Sequence, residues 1–184
     1  MIIGFQGVKN SNSEFATNFF INKHNFKNIK KVPLVSSKGV VKALKEGKID
    51  LGVVAVKNNL GGIVEETKEA FQDCSVQILD TTKLQIHHCL FVYDKNCVEK
   101  IDTILSHKQA LLQCRDYINK KFPQIVVEEA EDTAICAYYL KNHKLSKNHA
   151  VICSKRAGEE NGLFMIDENI EDKRSITQFA LIKI

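Results

Sequence analysis

Leu51-Gly-Val-Val-Ala-Val56, followed at once by Lys57-Asn58-Asn59-Leu60-Gly61-Gly62, decides how this chain folds. The first six residues are an almost unbroken apolar run, rich in β-branched side chains. Such a run reads as a strand covered on both faces, as in a parallel sheet. The next six are polar and glycine-rich, and they break the strand before a helical pattern from Ile63 to Gln72. Strands alternating with helices at this spacing mean α/β. In such folds ligands sit in the loops at the carboxyl ends of strands, which makes Lys57 and Asn58 candidate site residues. Asn58 also has a local use, since asparagine readily closes an Asx turn on its own backbone.

Upstream, Met1–Phe5 reads as a strand broken at Gly4-Phe-Gln-Gly7. Ser11 or Ser13 can then cap the helix that Phe15, Phe19 and Phe20 mark out, because a serine hydroxyl satisfies an orphaned amide at a helix start. Lys31–Val35 is a second strand, and Ser37–Glu46 a helix that Gly47 ends.

Downstream, Val76–Leu79 and Leu84–Tyr93 read as strands, the second a crossover between lobes. A further apolar run ends at Ser106, where a helical pattern begins with Leu111, Cys114, Ile118 and Phe122 facing the core. Ser106 is the expected cap. Ser106 and Gln113 lie two turns apart, about 10 Å along one helical stripe, and offer a hydroxyl and an amide where an anion can sit. Ile125–Glu129 is a strand, and Asp132–Leu140 a helix with Asp132 or Thr133 as its cap. His149–Cys153, Leu163–Ile170 and Ile176–Ile184 complete the strands, and Ser154 and Gly162 bound the last short helix. Two successive α/β units joined by one strand run predict two lobes.

Composition narrows the function. The chain has 184 residues, 44% hydrophobic and 26% charged, as ordinary soluble proteins do. The net charge is +4 and Trp is absent, with no basic run interleaved with stacking aromatics. A nucleic-acid partner is therefore not expected, whereas an anionic small substrate is compatible. The six cysteines stand singly, as reduced thiols do, rather than as a disulfide frame or zinc site. His87 and His88 are adjacent in a strand-like run, so they point to opposite faces and do not share a metal. His88 reads as a hydrogen-bonded core residue. No apolar run is long enough for a membrane span and no signal peptide precedes the first strand, so a cytoplasmic protein is expected.

The stretch Ser106-His-Lys-Gln-Ala-Leu-Leu-Gln-Cys114 resembles the Ser-His-Pro-Gln-Ala-x-x-Gln-Cys motif of the prephenate dehydratase family, with Lys108 in place of Pro. Other matches follow in the family's order. Gly4, Gly7, Ser11 and Ser13 resemble its Gly-x-x-Gly-x-x-Ser-Tyr-Ser-His, with one more residue between Gly7 and Ser11; Asn58 and Gly62 resemble Val-Pro-Ile-Glu-Asn-Ser and the later Gly. Leu84-Gln-Ile-His-His-Cys-Leu90 resembles Leu-x-Ile-x-His-Cys-Leu; Thr133-Ala134 resembles the end of Ser-Thr-Ala, and Thr177 and Phe179 match Thr-Arg-Phe. The likeness runs from Gly4 to Phe179.

The resemblance implies a two-lobed fold like a type-2 periplasmic binding protein, with the active site in the cleft between lobes. Lobe 1 is expected at about 1–80 plus 164–184, and lobe 2 at about 84–163. It implies conversion of prephenate to phenylpyruvate, with loss of water and carbon dioxide, in phenylalanine biosynthesis. Thr177 is the implied proton donor, and Asn58, Ser106 and Gln113 orient the substrate, with Phe179 walling the pocket and Ser11 and Thr133 in matching loops. No metal or organic cofactor is called for, and relatives form homodimers or homotetramers. The ACT regulatory domain that most relatives append is not seen after the last strand, so feedback through such a domain is not expected.

Four positions depart from the pattern. Asn12 and Glu14 replace Tyr and His, Lys57 replaces a Glu, and Gln178 replaces the Arg. A bidentate Arg holds a carboxylate well and Gln178 brings no charge, so Lys57 is the expected substitute cation. Two other readings remain open: a diverged two-lobed anion-binding or sensor protein without turnover, and a prephenate decarboxylase-like enzyme, against which the retained Thr177 argues. The choice between prephenate and arogenate also stays open.

Overall fold

The computed structural model describes residues 1–72 and 74–184. The chain divides into two compact units, residues 1–85 with 176–184 and residues 86–175.

The first unit is built on a sheet of β1 (Ile2–Phe5), β2 (Lys30–Pro33), β3 (Leu51–Asn58), β5 (Gln77–Ile86) and β11 (Ser175–Lys183), in the order β2-β1-β3-β11-β5. The two-residue β4 (Gly62–Ile63) folds back on the end of β3, pairing Lys57 with Ile63 and Asn58 with Gly62. Helix α1 (Asn12–Lys23) connects β1 to β2, and α2 (Ser37–Lys45) connects β2 to β3; α3 (Glu65–Phe71) follows the hairpin. Val40, Ala43 and Leu44 of α2 pack on Val54, Ala180 and Ile182, so one face of the sheet is sealed by aliphatic side chains.

The second unit holds β6 (Cys89–Val92), β7 (Thr103–His107), β8 (Val126–Ala130), β9 (His149–Cys153) and β10 (Phe164–Glu168), in the order β10-β6-β9-β7-β8. Helices α4 (Lys108–Gln113) and α5 (Arg115–Lys121) run from β7 to β8, α6 (Thr133–Lys141) from β8 to β9, and α7 (Lys155–Glu160) from β9 to β10. Leu111, Cys114 and Ile118 cover Ile104, Leu90 and Ile152 in its core.

Both units share one wiring. In the first, β1 is parallel to β2 on one side and to β3 on the other. In the second, β7 is parallel to β8 and to β9 in the same manner. Right-handed crossovers then put α1 and α2 on opposite faces, which opens a crevice at the carboxyl ends of β1 and β3. The equivalent crevice in the second unit lies at the ends of β7 and β9.

Several expectations are corrected. The first sheet is mixed, because β11 runs antiparallel to β3. The Leu51 strand continues through Lys57 and Asn58, since pairing to β4 and β11 outweighs the polarity of those residues. The segment from 164 to 175 belongs to the second unit, not the first, because β10 pairs antiparallel with β6. The expected strand Leu84–Tyr93 is interrupted at His87 and His88, whose hydrogen bonds go to Glu171 and Gln113 instead of a ladder. Ser106 is not a helix cap. It is the fourth residue of β7, and His107 caps α4 by accepting from the Gln109 amide. The intended helical stripe of Ser106 and Gln113 therefore does not exist. Phe15 and Phe19 are exposed, and α1 buries Ala16, Thr17 and Phe20.

Candidate active site

The crevice at the ends of β1 and β3 gathers most of the candidate residues of the first unit. β11 enters there, with Thr177 opposite Asn58 and Gln178 opposite Lys57. Opposed residues of an antiparallel pair share a face, and successive residues alternate. Asn58 and Thr177 thus leave on one side of the sheet, and Lys57 and Gln178 on the other. A register shift between Gln178 and Phe179 follows directly, and such bulges re-aim side chains at strand ends.

The Asn58 amide has a fixed orientation. Its Oδ1 accepts from the backbone N–H groups of Leu60 and Gly61, at 2.8 and 3.1 Å. That is the Asx turn, and it points Nδ2 the other way, where it donates to Thr177 Oγ1 at 2.9 Å. Thr177 is half-buried, and its hydroxyl oxygen is the acceptor in this bond. The hydroxyl proton has no acceptor among the described residues, so it is available to a group outside the protein. An amide donating into a hydroxyl also draws electron density from it and strengthens it as a donor. Asn59 makes this end rigid: its Oδ1 accepts from Ile176 N at 2.6 Å and its N–H donates to Ile176 O at 3.0 Å.

Lys57 is exposed and makes no ion pair among the described residues. Gln178 is half-buried. Phe179 is only 2% exposed and belongs to the core rather than to an open wall. Ser11 is the N-cap of α1, accepting from the Glu14 amide at 3.3 Å. Glu14, one of the departures, is buried and pairs with Lys31 while accepting from Asn10 N. It ties α1 to β2 and its side chain has a scaffold role.

In the second unit, Ser106 is fully buried and its Oγ donates to the Ile152 carbonyl at 2.6 Å, joining β7 to β9. Gln113 is buried, and its Oε1 accepts from His88 Nε2 at 2.8 Å. Burial holds His88 below its ordinary value near 6.5, despite the Gln113 bond and the Glu171 carboxylate, which act the other way. His88 is therefore a neutral core residue. Thr133 is the first residue of α6, whose cap is Asp132. The structure thus gathers Asn58, Thr177, Lys57 and Gln178 at one sheet end, while Ser106, Gln113 and Thr133 are parts of the second unit.

Burial raises the thiols of Cys89, Cys114 and Cys153, and pushes Cys136 up to about 12. A thiol held protonated is no nucleophile. Among the described residues no group of three His, Cys, Asp or Glu side chains is placed to hold a metal. Among the described residues no helix is long and apolar enough to cross a membrane.

Residues 3–184 match the family described as prephenate dehydratase. This chain belongs to that family. A prephenate dehydratase of Methanocaldococcus jannaschii is 41% identical over 134 residues, covering 72% of this chain and 47% of that protein. Arogenate dehydratase 1 of Petunia hybrida is 29% identical over 181 residues, covering 98% of this chain and 41% of that protein. The chain thus spans less than half the length of either relative. Among solved structures, prephenate dehydratase from Arthrobacter aurescens in complex with L-Phe gives a TM-score of 0.86 at 22% identity, over all of this chain and 60% of that one. A putative methionine-binding lipoprotein from Bacillus subtilis gives 0.53 at 11% identity, over all of this chain and 83% of that one. These two likenesses are of fold, and they join the dehydratase architecture to that of two-lobed binding proteins.

Sequence reasoning missed Asn59 and Glu171. Asn59 follows a residue already singled out, and its capacity to clamp a neighbouring backbone was the available signal. Glu171 sits in a charged run with no periodicity, and only the fold brings it to His87 and His88.

Proposed function

We propose that this chain converts prephenate to phenylpyruvate. Prephenate carries a ring carboxylate and a ring hydroxyl. The bond from the ring to the carboxylate breaks and releases carbon dioxide; its electron pair enters the ring, and the carbon–oxygen bond to the hydroxyl breaks. One proton is needed for the departing hydroxide to leave as water. Aromatisation makes the step strongly downhill, so a single well-placed donor and a rigid substrate pose suffice.

The observation that carries this reading is the Asn58–Thr177 hydrogen bond, which leaves the Thr177 proton free to point at a substrate. A threonine hydroxyl is a weak acid, and its work is to polarise the leaving oxygen in a pre-arranged setting. Solvent replaces the proton after turnover. Lys57 leaves the other side of the same sheet end, beside Gln178, and in this reading its long side chain reaches around the strand end to a substrate carboxylate. Ser11, which caps α1, and Phe179, in the core, support the first unit around this end, while Ser106, Gln113 and Thr133 belong to the framework of the second unit.

Arogenate differs from prephenate by an ammonium in place of a ketone, and its ring chemistry is the same. The likeness to an arogenate dehydratase over 98% of the chain favours testing both. Purified protein incubated with prephenate, with phenylpyruvate followed by its absorbance in alkali, tests the proposal. Phenylpyruvate formed at an enzymatic rate supports it. Prephenate consumed without phenylpyruvate indicates the decarboxylase chemistry. Tight binding without turnover of either compound leaves a sensor protein.

A further inference from the structure

A second set of charges lies where α4 and α5 meet β8. Lys108, Leu111 and Leu112 recur at i, i+3 and i+4 on one side of α4, and Arg115 opens α5 just beyond Cys114. They face Val127 and Glu129, two residues apart on one side of β8, and with Ile118 and Asn119 they line a groove of about 240 Å³. β8 is the last strand of its sheet, so no further strand closes this part of the helix–sheet interface. Leu111 is buried at the floor, while Leu112 and Val127 are 54% and 46% exposed.

The charges are as uncommitted as the apolar wall. Neither Lys108 nor Glu129 has an ion-pair partner among the described residues. Arg115 has only a 3.7 Å contact with Asp116, its own neighbour in sequence. Two cations and one carboxylate thus border an uncovered apolar surface without neutralising one another. A simple anion would leave the carboxylate repelled, and a simple amine would meet two cations. A ligand with both charges and an apolar tail satisfies all three groups. The volume is below that of a drug-sized site and suits a molecule of amino-acid size.

We propose that this groove binds a free α-amino acid with an apolar side chain, its carboxylate on Lys108 and Arg115, its ammonium on Glu129, and its side chain on Leu111, Leu112 and Val127. The site does not depend on the proposed reaction. It lies on α4, the helix that directly follows Ser106 and whose inner side carries Gln113.

Isothermal titration of the whole chain with L-leucine, L-phenylalanine, 3-phenylpropionate and 2-phenylethylamine tests it. Both amino acids should bind, and each one-charge analogue should bind about tenfold more weakly or worse, the usual scale for one lost charged hydrogen bond. Glu129→Gln should weaken phenylalanine about as much and leave 3-phenylpropionate unweakened. Arg115→Gln should weaken both. These side chains are exposed, and circular dichroism and thermal melts verify that the variants fold. No heat with any amino acid overturns the proposal. So does binding that survives Glu129→Gln and Arg115→Gln but is lost in Asn58→Ala, which puts the ligand in the crevice. If Leu112→Asp turns a dimer into a monomer in sedimentation equilibrium, the groove is a contact between copies and the proposal fails.

Discussion

Asn58 donates its side-chain amide to the hydroxyl of Thr177, 2.9 Å away across the antiparallel β3–β11 pair. The direction of that bond matters more than its length. With the amide as donor, the threonine proton is free; with an acceptor in its place, the proton is taken.

Asn58→Asp tests this. The carboxylate has the shape of the amide but accepts only, so it captures the Thr177 proton. The expected result is a fall in kcat of about 100-fold, the lower end of what proton donation contributes. Asn58→Ala should lose less, because it leaves the hydroxyl disordered but uncommitted. A larger loss in Ala than in Asp contradicts the assigned direction.

Lys57 stands opposite Gln178 with no ion pair among the described residues, and it is proposed to hold a substrate carboxylate. Lys57→Glu should raise KM about tenfold or more, the cost of exchanging one charged hydrogen bond for repulsion, with a smaller effect on kcat. Adding Gln178→Arg to Lys57→Glu should recover much of the loss, since the two positions share a sheet face. Unchanged KM in Lys57→Glu means that this lysine simply faces water.

His88 gives a pH signature. Its folded-state value lies below the ordinary 6.5, chiefly through burial, while the nearby Glu171 carboxylate raises it and His87 lowers it. The unfolded chain therefore binds a proton, as pH falls through 6.5, that the folded chain refuses. Stability is full above 6.5 and declines below it, by up to about 1.4 kcal/mol per pH unit for one such group. Denaturant melts between pH 5 and 7 should show a steeper loss in the wild type than in His88→Gln. Parallel slopes contradict the account.

Gly158 of α7 lies against the ring of Phe91, which is fully buried. A Cβ there would fall 2.3 Å from this buried ring, so either the ring or the helix must shift. Gly158→Ala should destabilise the chain by about 1–3 kcal/mol, the range for overpacking a core. Helix propensity alone predicts a gain of up to about 1 kcal/mol, so the sign of the change in melting temperature decides between them.

The alternation of apolar runs with helical patterns made the α/β wiring readable, because burying a strand on both faces needs a continuous apolar run such as Leu51–Val56. The assignment of residues 164–175 was not readable. Phe164–Glu168 has the pattern of an edge strand in either sheet, and only its pairing with β6 decides. Asn58 and Thr177 were both legible as candidates from their motifs. Their mutual bond was not, since 119 residues separate them and only the register of β11 on β3 joins them. Ser106 shows the opposite failure: serine before a helical pattern reads as a cap, yet the strand keeps it for the Ile152 carbonyl.

The most direct measurement is the single-turnover rate of prephenate conversion by Thr177→Ala and Thr177→Ser beside the wild type, with substrate affinity measured separately. The account predicts that Ala loses at least about 100-fold in rate with little change in affinity, while Ser keeps a hydroxyl for Asn58 and most of the rate. An alanine variant that turns over prephenate as fast as the wild type would contradict it, and would remove Thr177 from the chemistry.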